Sequence, residues 1–512
     1  MLDLIQEQFL FYISIIITIF LPGYLLLSAT FNKNQFNLLE KIIISSGLGV
    51  ISTTLLMIVI GKAGVPLTSW SVILSIAIFS IACWIIGKKK KSKEKSKEIL
   101  FSKNQIALII SILFLTVFIK TTYLESTIFP TSTDLGHHMY WSRLITNTQK
   151  LPVYQKVEII QTDNAYTLTD PEPIADFIIG EHLIFSGISM ISGIDVVSYF
   201  PSLVLHLFNI MGILAIFIFI LRIFNSPIAK NAAITSLILL GPLYAISSPQ
   251  SKFISGGVIG NILGNLFIPL ALYFYFRALK EKSSSMLMTA IFITFGMIYT
   301  HHLSSFVFIF IFAFIFILFN ITLTYQSILI PKKDKFKTLI QNYKNVLQDW
   351  TKLIFSKPVI GILIFAALFF FFIYTPAYVE TSAVDTAIGT PSKSTRTGLS
   401  LTELKFNAGE SRMMLGMIGL AILLILQFFY KQDKLNIKKI YTFAFSSGWI
   451  IALLSMTLKP DWLHLDLPSG RIANYFSFPI IVTASFCVVW IFNKIKNSNF
   501  PLPPTIIFAF YL

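Results

Sequence analysis

Charge is scarce in this chain: only 12% of its 512 residues are Asp, Glu, Lys or Arg, about half the share usual in a water-soluble domain. With 55% hydrophobic residues, that scarcity excludes an ordinary soluble fold and points to lipid as the solvent. Acidic residues are the scarcer sign, 24 against 40 basic, for a net charge of +16. The lysines stand in short loops between apolar runs, where they act as topology signals, so no nucleic-acid partner is expected. Cysteine is nearly absent. Cys83 and Cys487 each lie inside an apolar run and suit neither a disulfide nor a zinc cage. A cleavable leader is also missing from the reading, because the first apolar run, about 9–29, is long enough to span and has acidic flanks.

Long hydrophobic runs are what the chain does have. A span needs roughly 20 apolar residues, and candidates fall near 8–29, 41–61, 69–87, 104–122, 197–221, 231–247, 257–276, 284–300, 303–323, 357–375, 412–430, 440–458 and 473–493. The expected fold is therefore all-α, a polytopic transmembrane helix bundle of about 13 spans. A further run starts at "PLPPTIIFAFYL" and stops at Leu512, which reads as the truncated start of another span. The basic stretch "GKKKKSKEKSKE" marks a cytoplasmic loop. Alternating from it places "RIFNSPIAK", "RALKEK", "PKKDKFKTLIQNYKNVLQDWTK", "YKQDKLNIKK" and "NKIKN" on the same side. The alternation works only if residues 174–193, "IADFIIGEHLIFSGISMISG", do not cross. Glu181 and His182 sit mid-run there, and a centred ionised group costs roughly 3 kcal/mol or more. The segment is expected to be an interfacial or re-entrant helix in the first long outer loop.

That parity puts the unusual polar residues on one face. In "TSTDLGHHMYWSRLITNTQKLP", Asp134 occupies a first helical turn, where the dipole favours negative charge. Asp134, His137, His138 and Trp141 then share a helix face. The plainer reading is a capped surface helix with solvated histidines. Glu181 and His182 can supply a base, a metal ligand or hydrogen bonds to a sugar, or can snorkel to the headgroups. In "YTHHLSS", His301 and His302 mark a tight hairpin between two apolar runs. In "LPSGRIANYFSFP", Arg471 can anchor at headgroups or clamp a phosphate with its planar fork, and Tyr475 follows one turn later. Asp461 and Asp466 share that face. The glycines of "SGGVIGNILGNLFIP" most simply mean close helix packing. The stretch from Tyr374 to Arg412, with Gly389 and Gly398, reads as a mobile outer loop.

Together, "TDLGHHMYWSRLITNTQKLP", "PEPIADFIIGEHLIFSGISMISGID", "THHLSS" and "SGRIANYFSFP" resemble the membrane-embedded GT-C glycosyltransferases, over about residues 105–493. The resemblance implies a GT-C-like catalytic membrane domain at 104–493, preceded by a three-span segment at 1–103 with its basic cytoplasmic loop and followed by 494–512. It implies an enzyme that moves a sugar from a polyprenyl-phosphate carrier to an acceptor at the outer face of a prokaryotic-type cell membrane, by single displacement with inversion. Asp134 would be the base, Arg471 the partner of the donor phosphate with Arg143 or a histidine, and Glu181, His182, His137 and His138 candidates for holding the acceptor or a divalent metal. Manganese or magnesium suits oxygen ligands, and added imidazole admits zinc. His301, His302 and Tyr475 are secondary candidates. Three departures stand out. Four spans precede the aspartate-bearing loop, three of them before residue 104, where the family usually has one; Gly136 interrupts any Asp-x-Asp pair, and no "WWDYG"-like signature of oligosaccharyltransferases is present. The other reading is a transporter or flippase for a lipid-linked or anionic solute, which would place polar groups near the bilayer midplane. A non-catalytic scaffold would leave the one-sided polar cluster unexplained.

Overall fold

The structure is a computed structural model that describes residues 2–32, 34–89, 101–125, 133–162, 165–174, 176, 178–224, 228–246, 259–329, 334–380, 387–429 and 435–497. The basic stretch after the third span and the expected final run at 498–512 lie outside the described residues. Each of the thirteen apolar runs is a helix: α1 (Gln8–Thr30), α2 (Leu38–Lys62), α3 (Ser69–Lys88), α4 (Lys103–Thr122), α7 (Phe200–Ile223), α8 (Ile228–Ala245), α9 (Ile259–Glu281), α10 (Ser284–Thr300), α11 (His302–Leu329), α13 (Lys357–Ile373), α14 (Glu410–Phe428), α15 (Ile437–Leu458) and α16 (Ser469–Lys496). Eleven are individually long and apolar enough to cross. The other two are α10, with 17 residues, and α13, which is bent by 61° against the preceding α12 (Lys335–Ile354). Two further helices, α5 (Thr133–Thr148) and α6 (Ile179–Ser192), belong to the first long loop between spans.

Contacts sort the helix ends into two sets. At one end, Leu67 N–H donates to Gln149 O at 2.7 Å, Leu399 N–H to Thr457 O at 2.9 Å, and Tyr299 Oη to Tyr374 O at 2.9 Å. At the other, Lys280 Nζ donates to Arg222 O at 2.9 Å, Lys282 pairs with Asp349 at 2.7 Å, and Thr442 Oγ1 donates to Ile223 O at 3.0 Å. The lysine-bearing loops thus share one end of the bundle, as alternation with a non-crossing 174–193 requires. We call it the lysine-rich end, and the opposite one the site end.

Helix α6 explains that parity. Its His182 bonds His138 of α5, and its Ser186 Oγ donates to Ser142 O at 2.8 Å, both across 44 residues. A constant offset means that the two helices run parallel and in register. The start of α5 takes a hydrogen bond from Ile259, and the residue just past its end, Gln149, takes one from Leu67, so α5 lies along the site end with α6 beside it. Fourteen residues reach only about 21 Å, short of a hydrocarbon core, and Gly193 in the left-handed region (φ 78°) ends the helix. α6 is also buried on nearly every side, packed into protein and not floating on headgroups, so Glu181 and His182 do not snorkel.

Between α5 and α6 the chain makes two short antiparallel ladders, Gln155–Lys156 with Glu172–Pro173 and Ile159–Thr162 with Ala165–Leu168, which an all-α reading did not anticipate. The stretch expected to be a mobile loop is tied down in its described part. Ser392 N–H and Oγ donate to Asp466 at 3.0 and 2.6 Å, Arg396 pairs with Asp466 at 3.1 Å, and Ser400 caps the short helix Leu401–Ala408.

Candidate active site

Three consecutive residues at the start of α9 gather the site. Ile259 N–H donates to Asp134 Oδ2 at 3.2 Å, Gly260 abuts the His301 ring, and Asn261 Nδ2 donates to Arg471 O at 2.9 Å. Asp134 thereby accepts from the first described backbone amide of α9. A Cβ at Gly260 or Gly264 would collide with His301, or with Ser304 and Tyr475. The glycine spacing therefore lets side chains touch the α9 backbone, the close packing expected from the sequence.

A chain of polar contacts leads inward from Asp134. Its Oδ1 lies 3.8 Å from His138 Nε2, too far for a direct hydrogen bond. His138 Nδ1 lies 2.9 Å from His182 Nε2, and His182 Nδ1 lies 2.6 Å from Tyr154 Oη. One tautomer pattern serves every contact: Tyr154 donates to His182, His182 donates to His138, and the His138 Nε2–H faces Asp134. Both rings must then be neutral. Burial, reinforced by Arg471 and His137 and opposed by Asp134, pushes the His138 imidazole down to about 4. Burial and the neighbouring His138 hold His182 well below the usual imidazole range. Beside them the Glu181 carboxyl is fully buried and has no hydrogen-bond partner among the described residues. Burial, and then the charge of Asp134, raises it well above the carboxylate range, which favours its neutral form.

A second cluster lies across α9. His301 Nδ1 is 2.6 Å from Ser304 Oγ, and Tyr475 Oη is 2.7 Å from Ser304 Oγ and 3.1 Å from His301 Nδ1. Burial, then His302, Arg471 and His138, hold His301 well below its ordinary value. Arg471 is exposed, and its charge reaches both His138 and His301. It has no ion pair among the described residues. Asp134 and Arg471 are thus at the same end of the bundle.

The sequence candidates separate in three dimensions. Asp134, His138, Glu181, His182, His301, Tyr475 and Arg471 converge. His137 points to the exposed side of α5, and the His302 ring lies tilted against that of Tyr378, with centroids 5.6 Å apart. Arg143 pairs with Asp195 at 3.1 Å, half-exposed, toward the far end of α5 from Asp134. Sequence reasoning missed Tyr154, Asn261, Ser304 and Asp176. Asp176 accepts from Tyr374 Oη at 2.6 Å and from Tyr378 N–H at 3.2 Å, and so fastens the start of the loop after α13 to the first one. An asparagine and glycines inside an apolar run were the available signal for Asn261; Tyr154 had none. An open cleft of about 700 Å³ adjoins this chain, lined by Lys62, Lys150, Tyr154 and Tyr374.

A divalent metal fits these residues poorly. Both His182 nitrogens are engaged, and among the described residues no group of three or more His, Cys, Asp or Glu is disposed to hold an ion.

No protein-family model matches the chain, and no curated protein matches it either. Among solved structures it is similar to the oligosaccharyltransferase of Archaeoglobus fulgidus in its apo form, with TM-score 0.50 and 13% identity over 78% of this chain and 52% of that one. A second structure of that enzyme, tethered by a disulfide to an acceptor peptide containing the NVT sequon, matches with TM-score 0.44 and 14% identity over 78% and 51%. The chain spans about half the length of the structures it matches. What is shared is the fold of the matched part of that oligosaccharyltransferase.

Proposed function

We propose that the chain is a glycosyltransferase that moves a sugar from a polyprenyl-phosphate carrier to an acceptor at the outer face of the cell membrane. The observation that carries this reading is the convergence of Asp134, the buried Glu181 carboxyl, the paired imidazoles and Arg471 around the first described residues of α9. Transfer breaks the bond from the anomeric carbon to the carrier phosphate oxygen and forms one to the acceptor oxygen or nitrogen. The acceptor proton passes to Asp134, held at 3.2 Å by the Ile259 amide and oriented through His138, His182 and Tyr154. The bonding pair leaves with the phosphate, which is already anionic and needs a cation, not a proton. Arg471 meets that need, being exposed and free of an ion pair among the described residues; Arg143, committed to Asp195, does not. Glu181, as a neutral acid, can donate to a sugar hydroxyl, and the adjoining cleft with Lys62, Lys150 and Tyr374 suits the acceptor. A transporter would use a pathway at mid-depth, whereas these groups gather at one end.

The test is incubation of purified protein and membrane extract with radiolabelled polyprenyl-phosphate sugars. Asp134→Asn should lower transfer by roughly 10²–10⁴-fold while leaving the protein folded in detergent. Transfer that survives in that variant removes Asp134 as the base, and no product from any such donor removes the reaction.

A further inference from the structure

The lysine-rich end contains two adjoining hollows that this chemistry leaves unused. One is an apolar cavity of about 360 Å³, walled by residues such as Ile291, Phe316 and Leu363 and within the size range of ligand pockets. The other is a polar cleft of about 170 Å³ lined by Lys280, Lys438, Asn342 and Asn345. They share Leu279, Trp350, Leu353 and Tyr441 as walls, and the Trp350 Nε1–H donates to Tyr441 Oη at 2.9 Å where they meet. Among the described residues, charge in the cleft is unbalanced. Asp349 is taken by Lys282 and Glu281 by Arg277; the Lys280 ammonium feels the charge of Glu281 and then that of Lys438. Lys438 has no ion pair among the described residues.

Helix α12 fixes the depth of this opening. Val346 and Leu353 of α12 are buried against the bundle. Phe336, Ile340 and Leu347 form an exposed apolar stripe, with the exposed Lys337 and Lys344 along its polar side. Such a helix lies in the plane of the bilayer surface, so the cleft beside it opens at headgroup level and the cavity at acyl-chain level.

We infer that this end of the bundle binds an anionic glycerophospholipid, its phosphate between Lys280 and Lys438 and one acyl chain in the cavity beside Ile291 and Leu363. The lipid supplies the missing negative charge, and the apolar chain fills space that the helices leave open. The site is at the opposite end from the proposed chemistry and stands whether or not sugar transfer does.

Native mass spectrometry of the full chain in neutral detergent, titrated with phosphatidylglycerol or with phosphatidylcholine of the same acyl chains, tests it. Phosphatidylglycerol should bind in preference, and Lys438→Gln should weaken it about fivefold, the effect of one basic residue near an anionic surface. Ile291→Trp, or the milder Leu363→Phe, should reduce binding of both lipids by filling the cavity, whereas Lys62→Gln at the site end should change nothing. Equal binding of the two lipids overturns the inference. So does parental binding by both Lys438→Gln and the cavity-filling variant, and so does displacement by inorganic phosphate alone, which would mean a free-anion site.

Discussion

Some buried titratable groups at the two ends of the bundle are held in opposite ways. At the lysine-rich end, Arg222 grips Glu40 with two bonds of 2.6 Å, Tyr273 Oη donates to the same carboxylate at 2.8 Å, and Arg277 joins Tyr273 at 2.7 Å and Glu281 at 2.6 Å. Glu40 also closes the capping box that starts α2. Toward the site end, Glu181, Lys120 and His206 are buried with no hydrogen-bond partner among the described residues. A satisfied network serves folding, because each charge removed from water finds another. Groups left unsatisfied cost stability and persist where chemistry or a ligand uses them.

That contrast can be broken by exchanging the consequences of mutation. Glu40→Ala leaves the Arg222 guanidinium without its carboxylate and should cost about 3–5 kcal/mol, the largest stability effect expected here. Glu181→Gln, which replaces a carboxyl that is already neutral and unbonded, should change stability by about 1 kcal/mol or less and act instead on transfer. Unfolding in detergent followed by circular dichroism compares them; equal losses would show that Glu181 is as structural as Glu40.

A smaller effect follows from the imidazole pair. The native His138 titrates near 4, below its ordinary 6.5, and His182 is shifted in the same direction. The unfolded chain therefore takes up protons that the native one refuses, and stability present above about pH 6.5 falls as pH drops toward 4. His138→Gln should flatten this slope, read as the change in unfolding midpoint between neutral pH and about pH 5. An unaltered slope would mean that other groups carry it.

The sequence disclosed periodicity and sign well. All thirteen apolar runs became helices, and the described lysine-bearing loops expected on one side share one end of the bundle. Glu181 and His182 correctly marked α6 as a helix that does not cross. Helical spacing placed Asp134, His137 and His138 together, yet only the packing of α6 decides that His138 turns inward and His137 outward. Arg143 looked like a partner for Arg471 until the fold set it against Asp195. The ladders at 155–173 were invisible because strands of two and four residues, largely exposed, carry no apolar pattern. Tyr154 and Asp176 act through tertiary contacts 28 and about 200 residues away, for which no local signal exists.

Tyr154 offers the finest cut between the two kinds of polarity. Its ring packs 4.8 Å from that of Trp141, a contact that Tyr154→Phe keeps, so only the 2.6 Å bond to His182 Nδ1 is lost. A single hydrogen bond is worth about 1 kcal/mol net, which corresponds to roughly a fivefold fall in transfer if the bond orients the imidazole pair and, through it, Asp134. Without the Tyr154 donor, His182 can carry its proton on Nδ1 and turn a bare Nε2 toward His138, so the pH profile of transfer should shift along with its rate. Tyr154→Ala, which also removes the packing on Trp141, should lose more stability without moving that profile further. A Tyr154→Phe enzyme with parental rate and profile would reduce the Tyr154–His182 contact to core packing and remove it from the orientation of Asp134.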